Sequence, residues 1–345
     1  AGAGAGDASK STSSPTPTSL GVELRLLSVE ATTLMDLNHP NVVRVMGMCP
    51  PPDVRIVMEY IPGGDLSSWL THQRSRLTAD FSDATADSIV ADMVQILCDV
   101  SCGMAYLHSQ HVMHCDLKPG NILVGTHPGG GGGVQAKVAD LGIAVTTDGS
   151  GVSTEGRVGG TAGFRAPEVL SGTGPPSIAA DVWSFGVVVG CCLSLTSHNV
   201  WGAPDAIRAD KDAHRGFTQR MAIDGEVPSV WEKSGPAFQD AVSRVPTLKL
   251  EEWMVRCLSV SPSSRPRFVD MESQLRPCAR ALASRRAASA STPASAAPRT
   301  AIPVPPPAVD APPCGAPSDS PTPTDNAGAV VPGTAGAAAG AGCPE

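Results

Sequence analysis

The 345-residue chain carries 25 basic against 33 acidic residues, a formal net charge of −8, and only 17% of its residues are charged. Gly (36) and Pro (32) are over-represented and aromatics make just 4%, so a core of Leu, Val, Ile, Met and Ala is diluted by low-complexity segments. The acidic balance weighs against a general nucleic-acid or anionic-membrane binder, whose basic stripe would show in the count.

Residues 1–19 are Ala/Gly followed by Ser/Thr/Pro, a composition that cannot bury a core and predicts disorder. The alternation of Gly2, Gly4 and Gly6 has no strand before it and reads as low complexity, not as a phosphate loop. No basic n-region or apolar h-region marks a signal peptide, and the missing initiator Met points to a processed chain or a fragment. From 287 to 345 the chain is an Ala/Pro-rich, nearly uncharged tail expected to be flexible. The folded domain is therefore predicted over 20–286. Within it, 22–37 has helical apolar spacing closed by Asn38-His39-Pro40, and Val42–Met48 and Val54–Tyr60 read as short strands. Ile89, Met93, Ile96, Leu97, Val100, Met104 and Leu107 form the stripe of one long amphipathic helix. Strand-like pieces around Ile122–Val124 and Ala136–Val138 follow, joined by a flexible glycine run at 129–133, and the chain from Ala179 onward is helix or loop. This order predicts an α+β fold.

The ten cysteines include no C-x-x-C pair. Cys98 and Cys102 fall four apart in a helical pattern, and Cys191 and Cys192 sit in an apolar run, as free thiols of a reducing compartment would. The longest apolar stretch, Phe185–Leu195, is too short to cross a bilayer. No transmembrane segment is expected in this chain, and a cytoplasmic location is, whether alone or as the cytosolic part of a larger membrane-anchored protein.

The sharpest chemical signal is His114-Cys-Asp116-Leu-Lys118-Pro-Gly-Asn121-Ile-Leu-Val124. It sets a carboxylate, an ammonium and a carboxamide on one tight loop between helix and strand. Phosphoryl transfer uses such a set, with the carboxylate on the acceptor hydroxyl, the cation at the travelling phosphoryl and the amide oxygen on a metal ion. The next strand-like piece ends in Val138-Ala-Asp140-Leu-Gly142, which offers a carboxylate that can reach a Mg²⁺ bridging phosphates.

These residues resemble the catalytic and metal-binding loops of the eukaryotic protein kinases. Further segments match that family in chain order. Gly160-Thr-Ala-Gly-Phe-Arg-Ala166-Pro167-Glu168 resembles the end of an activation segment, and Asp181-Val-Trp183-Ser-Phe-Gly186 the buried helix beneath the catalytic loop. Arg265 matches the late Arg that pairs with that Glu, and Glu30 the regulatory-helix Glu. Met58-Glu59-Tyr60-Ile61 followed by Gly63-Gly-Asp65 is similar to an adenine hinge. The wording is similar to the tyrosine-kinase-like branch of Ser/Thr kinases, including plant-type Raf-like enzymes.

The resemblance implies a bilobal kinase fold with a complete helical large lobe, and ATP-dependent phosphorylation of Ser/Thr in protein substrates. Asp116 would orient the acceptor, Lys118 would neutralise the γ-phosphoryl, and Asn121 and Asp140 would hold Mg²⁺. The Glu59 carbonyl and Ile61 N–H would meet adenine between Met58 and Leu123. Glu168 and Arg265 would form a buried ion pair, Asp181 would accept backbone N–H groups of the catalytic loop, and Thr161 would bond both Asp116 and Lys118. Nothing in the sequence sets an oligomeric state.

Three departures bear on this reading. The Gly-rich lid and strand Lys expected before Glu30 are not evident, Lys10 being a poor substitute, so the small lobe is expected to lack its first strands. A binding module without transfer is the alternative. Cys115 replaces the usual Arg before Asp116, which predicts that Thr146, Thr147, Ser153 and Thr154 need no phosphorylation for activity. Leu141 replaces Phe and keeps its packing role.

Overall fold

Ser82 starts the longest helix, its side chain accepting the Thr85 N–H, and from there the chain runs unbroken through α2 (Asp83–Ser109). The computed structural model describes residues 35–49, 55–127, 133–154, 159–197, 200–230, 234–245 and 249–290, all in one compact unit. Expectations for 1–19, Lys10, Glu30, most of 22–37 and most of the glycine run lie outside these residues. All seven predicted stripe residues of α2 are buried. By length and composition α2 could span a bilayer, yet 78% of its most apolar window is buried against the rest of the protein, as befits a core helix.

The fold is α+β. Among the described residues, three two-stranded antiparallel sheets lie on a helical body: β1 (Val45–Cys49) with β2 (Arg55–Met58), β3 (Val112–Met113) with β6 (Val145–Thr146), and β4 (Ile122–Thr126) with β5 (Val134–Val138). The β1–β2 hairpin is shorter than the sequence pattern implies. Val42 leaves it to bridge Val138, its neighbour Val43 donating to the Val138 carbonyl. All four β2 residues are exposed, so the hairpin adds little to the core.

Preceding α2 is α1 (Leu66–Ala79), capped by Asp65, whose carboxylate accepts the Ser68 N–H at 2.8 Å. It buries Leu66, Trp69, Leu70, Gln73 and Leu77, a helical stripe thin enough among polar neighbours that the sequence reading passed over it. Later come α3 (Pro167–Ser171), α4 (Ile178–Ser194), α5 (Asp205–Arg208), α6 (Lys211–Ile223), α7 (Pro236–Ser243), α8 (Leu250–Cys257) and α9 (Phe268–Ala290). Every residue of α4 from Ala180 to Ser194 is buried, so this helix is the spine of the domain. Helix α9 carries the fold four residues beyond the boundary predicted at 286. The eight described cysteines are free thiols, and seven of them are buried. Gly63 is required by contact: a Cβ there would sit 1.9 Å from the Val124 carbonyl oxygen, where Gly64 and β4 meet.

Asp99 joins α2 to β5. It is buried, accepts Ala136 N–H at 2.8 Å and Gln95 Nε2 at 2.9 Å, and burial pushes its carboxyl up to about 6 despite those donors. A folded-state value above the unfolded one means that Asp99 penalises the fold increasingly as pH rises from about 4, in full above about 7. Asp99→Asn is therefore expected to stabilise the protein by on the order of 2 kcal/mol at pH 8 and hardly at all at pH 4. Thermal melts of both proteins across that range would disprove the assignment if the two curves ran parallel.

Candidate active site

The loop between β3 and β4 is held from beneath by α4. Asp181 Oδ2 accepts the His114 N–H at 2.9 Å and His108 Nε2 at 2.9 Å, and Oδ1 accepts the Cys115 N–H at 2.9 Å. Burial acts to raise the Asp181 carboxyl, but His108 and the loop donors win and hold it below the usual carboxylate value. Those bonds fix Cys115 at φ +69, a left-handed conformation that a non-glycine residue adopts only when its surroundings enforce it. His114 is fully buried, and its Nδ1 accepts the Asp116 N–H at 3.2 Å while Nε2 lies 3.0 Å from the Ala139 carbonyl. A donor on one side and an acceptor on the other place the imidazole proton on Nε2. His114 is thus a strut between this loop and the turn after β5.

Four donors converge on Asp116. Lys118 Nζ (2.6 Å) and Asn121 Nδ2 (3.1 Å) donate to Oδ2, while Thr161 N and Oγ1, both at 2.7 Å, donate to Oδ1. Lys118 Nζ also donates to Thr161 Oγ1 at 2.7 Å, so Thr161 bonds both residues. Partial burial acts to raise the Asp116 carboxyl, but Lys118 and Thr161 more than offset it and hold it below its ordinary range. Asn121 Nδ2 donates a second time to the Asp116 carbonyl at 2.9 Å. Both of its partners accept only, which forces the amide nitrogen toward them and leaves Oδ1 facing away as a free acceptor.

Asp140 joins the cluster through the backbone, since Ala139 N–H donates to the Asn121 carbonyl at 2.9 Å. It adopts φ +60, is exposed, and has no hydrogen bond or ion pair among the described residues. A free carboxylate and a free carboxamide oxygen on adjoining turns are hard donors suited to Mg²⁺, which keeps waters and takes its other ligands from substrate phosphates. No group of three or more His, Cys, Asp or Glu that could hold a metal occurs among the described residues, and this chemistry needs none.

Among the described residues, no hydrogen bond joins Met58, Glu59, Ile61 or Leu123, the residues read as an adenine hinge, to that cluster. Met58 is 50% exposed, Glu59 and Ile61 are half-buried, and half-buried Leu123 on β4 bridges Asp65. Arg44 N–H donates to Glu59 Oε1 (2.8 Å) and not to its carbonyl, while Glu59 N–H donates to the Arg44 carbonyl (3.0 Å). The Glu59 carbonyl and the Ile61 N–H consequently have no partner among the described residues. Lys137 Nζ reaches Glu59 Oε1 at 2.6 Å and ties β5 to the hinge, a pair the sequence reading missed because 78 residues separate its members. A cleft of about 650 Å³ among α2, α7 and α9, lined by Asp87, Arg244 and Leu282 among others, shares no residue with this site.

Behind the site, Arg265 pairs with both Glu168 oxygens at 2.7 and 2.8 Å, with no side-chain exposure. Leu141 packs against the core. Of the four hydroxyl residues in the loop after it, Thr147 is buried and its Oγ1 enclosed, so it is no accessible modification site, and the Thr146 and Thr154 hydroxyls lie 3.2 Å apart.

The family model of the protein kinase domain matches residues 17–274. The chain belongs to the protein kinase family. Curated kinases of differing acceptor chemistry are similar to it. Tyrosine-protein kinase Fer of Mus musculus is 30% identical over 247 residues, covering 71% of this chain and 25% of that protein. The mitogen-activated protein kinase kinase kinase mkh1 of Cytospora mali is 30% identical over 244 residues, covering 70% and 11%. A Dictyostelium discoideum protein named "Probable serine/threonine-protein kinase" is 29% identical over 272 residues, covering 70% and 32%. The chain thus spans a third or less of these kinases. Its kinase fold and helical large lobe agree with the sequence reading.

Proposed function

We propose that this protein kinase chain transfers the γ-phosphoryl group of ATP to Ser or Thr hydroxyls of proteins. A bond forms between the hydroxyl oxygen and phosphorus, the bond from phosphorus to the β,γ-bridging oxygen breaks, and the hydroxyl proton passes to Asp116. Lys118 offsets charge on the travelling group. Asn121 and Asp140 would hold Mg²⁺, which when bound neutralises phosphate charge. The Glu59 carbonyl and Ile61 N–H meet the adenine edge, with Met58 and Leu123 as its apolar walls.

The observation that carries the Ser/Thr reading is the bridge from Thr161 Oγ1 to both Asp116 and Lys118. A Lys at 118 beside the catalytic carboxylate is the Ser/Thr pattern of this family. The test is transfer from Mg²⁺-ATP to three peptides identical except for a central Ser, Thr or Tyr. Label in the Ser and Thr peptides is expected, and label in the Tyr peptide alone would overturn the specificity.

The exposure of all four β2 residues favours a second reading, a nucleotide-binding module without transfer. Stabilisation by Mg²⁺-ATP with no labelled product would establish that reading instead.

A further inference from the structure

After β6 the chain doubles back through an exposed turn at Asp148, so that Thr147 bridges Ser153. One oxygen gathers the turn. Asp148 Oδ1 accepts the Ser150 N–H (2.9 Å), the Ser150 hydroxyl (2.6 Å) and the Val152 N–H (3.0 Å). The backbone closes the same loop, with Asp148 N–H donating to the Val152 carbonyl at 2.8 Å and Gly151 N–H to the Asp148 carbonyl at 2.9 Å. These donors, the Ser150 hydroxyl foremost, hold the Asp148 carboxyl below its ordinary value, and no cation bonds it among the described residues.

Both ends of the turn are tied to supports of the loop that carries Asp116. Just before it, Thr147 N–H donates to the His111 carbonyl at 2.8 Å, where β3 begins. Just after it, the Gly151 carbonyl accepts the Ile178 N–H (3.0 Å) and Ser153 N–H donates to the Pro176 carbonyl (2.8 Å), where α4 begins. Gly151, at φ +78, passes so close that a Cβ there would lie 2.9 Å from Ile178 Cδ1. Further along the first turn of α4, Asp181 grips the His114 and Cys115 amides. The turn thus clamps β3 to α4, the two elements that hold that loop. Where an Arg would need a phosphate on this segment to offset its charge, the chain has Cys115.

We propose that Asp148 orders the segment after Asp140 from within, with no added phosphate, and so acts as a positioning residue for the catalytic loop. Its effect on rate rests on the transfer reading above. All three side-chain bonds fall on Oδ1, so the role needs an oxygen and not a charge: Asn can fill it and Ala cannot.

The test reads order and rate separately on the full chain. Amide exchange is followed residue by residue without nucleotide, and transfer from Mg²⁺-ATP to the Ser peptide is measured on the same preparations, before and after phosphatase treatment. Asp148→Ala is expected to speed exchange at Ser150 and Val152, and at the joints Thr147 and Ser153, by about tenfold. It is expected to lower kcat by about three- to tenfold with KM for ATP and the melting temperature unchanged. Asp148→Asn should match the wild type in both readouts, and phosphatase should alter neither. Unchanged exchange in Asp148→Ala, an undiminished rate despite faster exchange, an Asn variant as loose as Ala, or order lost on phosphatase treatment overturns the proposal. Faster exchange in Asp148→Ala, when the wild type itself labels no peptide, would sink the transfer reaction and leave Asp148 as the organiser of the segment.

Discussion

Asp116→Asn is expected to lower phosphoryl transfer by about 10²- to 10⁴-fold, the range for loss of a positioned proton acceptor. Its carboxyl lies below the ordinary carboxylate value, which makes it a weak base, so in the proposed reaction it would orient the hydroxyl and take the proton late, as a loose transition state allows. The same four donors predict a second effect. An amide at 116 must turn its NH2 toward either Lys118 and Asn121 or the Thr161 N–H, setting donor against donor at a cost of about 1–3 kcal/mol. Asp140→Asn separates the two effects. Its carboxylate has no hydrogen bond among the described residues, so stability should hold while the response to Mg²⁺ falls. Transfer assays with melting curves for both variants decide the matter. An Asp116→Asn protein that retains a tenth or more of wild-type transfer would remove Asp116 from the reaction.

The largest effect on stability is expected at Arg265. Its guanidinium also donates to the Ser259 carbonyl (2.8 Å) and the Ala179 carbonyl (2.9 Å), and stands 5.2 Å from the centre of the Trp183 ring. Glu168→Gln leaves this cation buried with its counter-charge gone, and Arg265→Met leaves a carboxylate and several carbonyls unmatched. Each is expected to cost about 3–5 kcal/mol, with Arg265→Met the worse of the two. The double variant should be less unstable than the sum by on the order of 2 kcal/mol, since each single change strands the other's charge. Urea unfolding of the four proteins measures this. Additive losses, or single losses under about 1 kcal/mol, would mean that the pair contributes no more than a surface ion pair.

How much of this could be read beforehand follows from how far each signal travels along the chain. The run from His114 to Asn121 announced its own loop because the interacting groups lie within eight residues, and the α2 stripe is a local periodicity. The pairing of Glu168 with Arg265, though distant, followed from the family pattern. Helix α1 escaped because Trp69, Leu70 and Leu77 are spread among Ser, Thr, His and Arg. Lys137–Glu59 and Asp99–Ala136 escaped for another reason: their meaning depends on which distant backbone or carboxylate the fold brings near. The two strand runs near residue 50 were legible as strands, but their exposure was not, since the pattern gives the pleat and says nothing of what covers it.

Asp181 carries one more implication. Because a spine helix grips two successive amides of the loop between β3 and β4 from below, that loop's strained shape exists before any ligand arrives. Incoming molecules meet a rigid anvil, and binding energy that would otherwise go into ordering that loop stays available for discriminating between them.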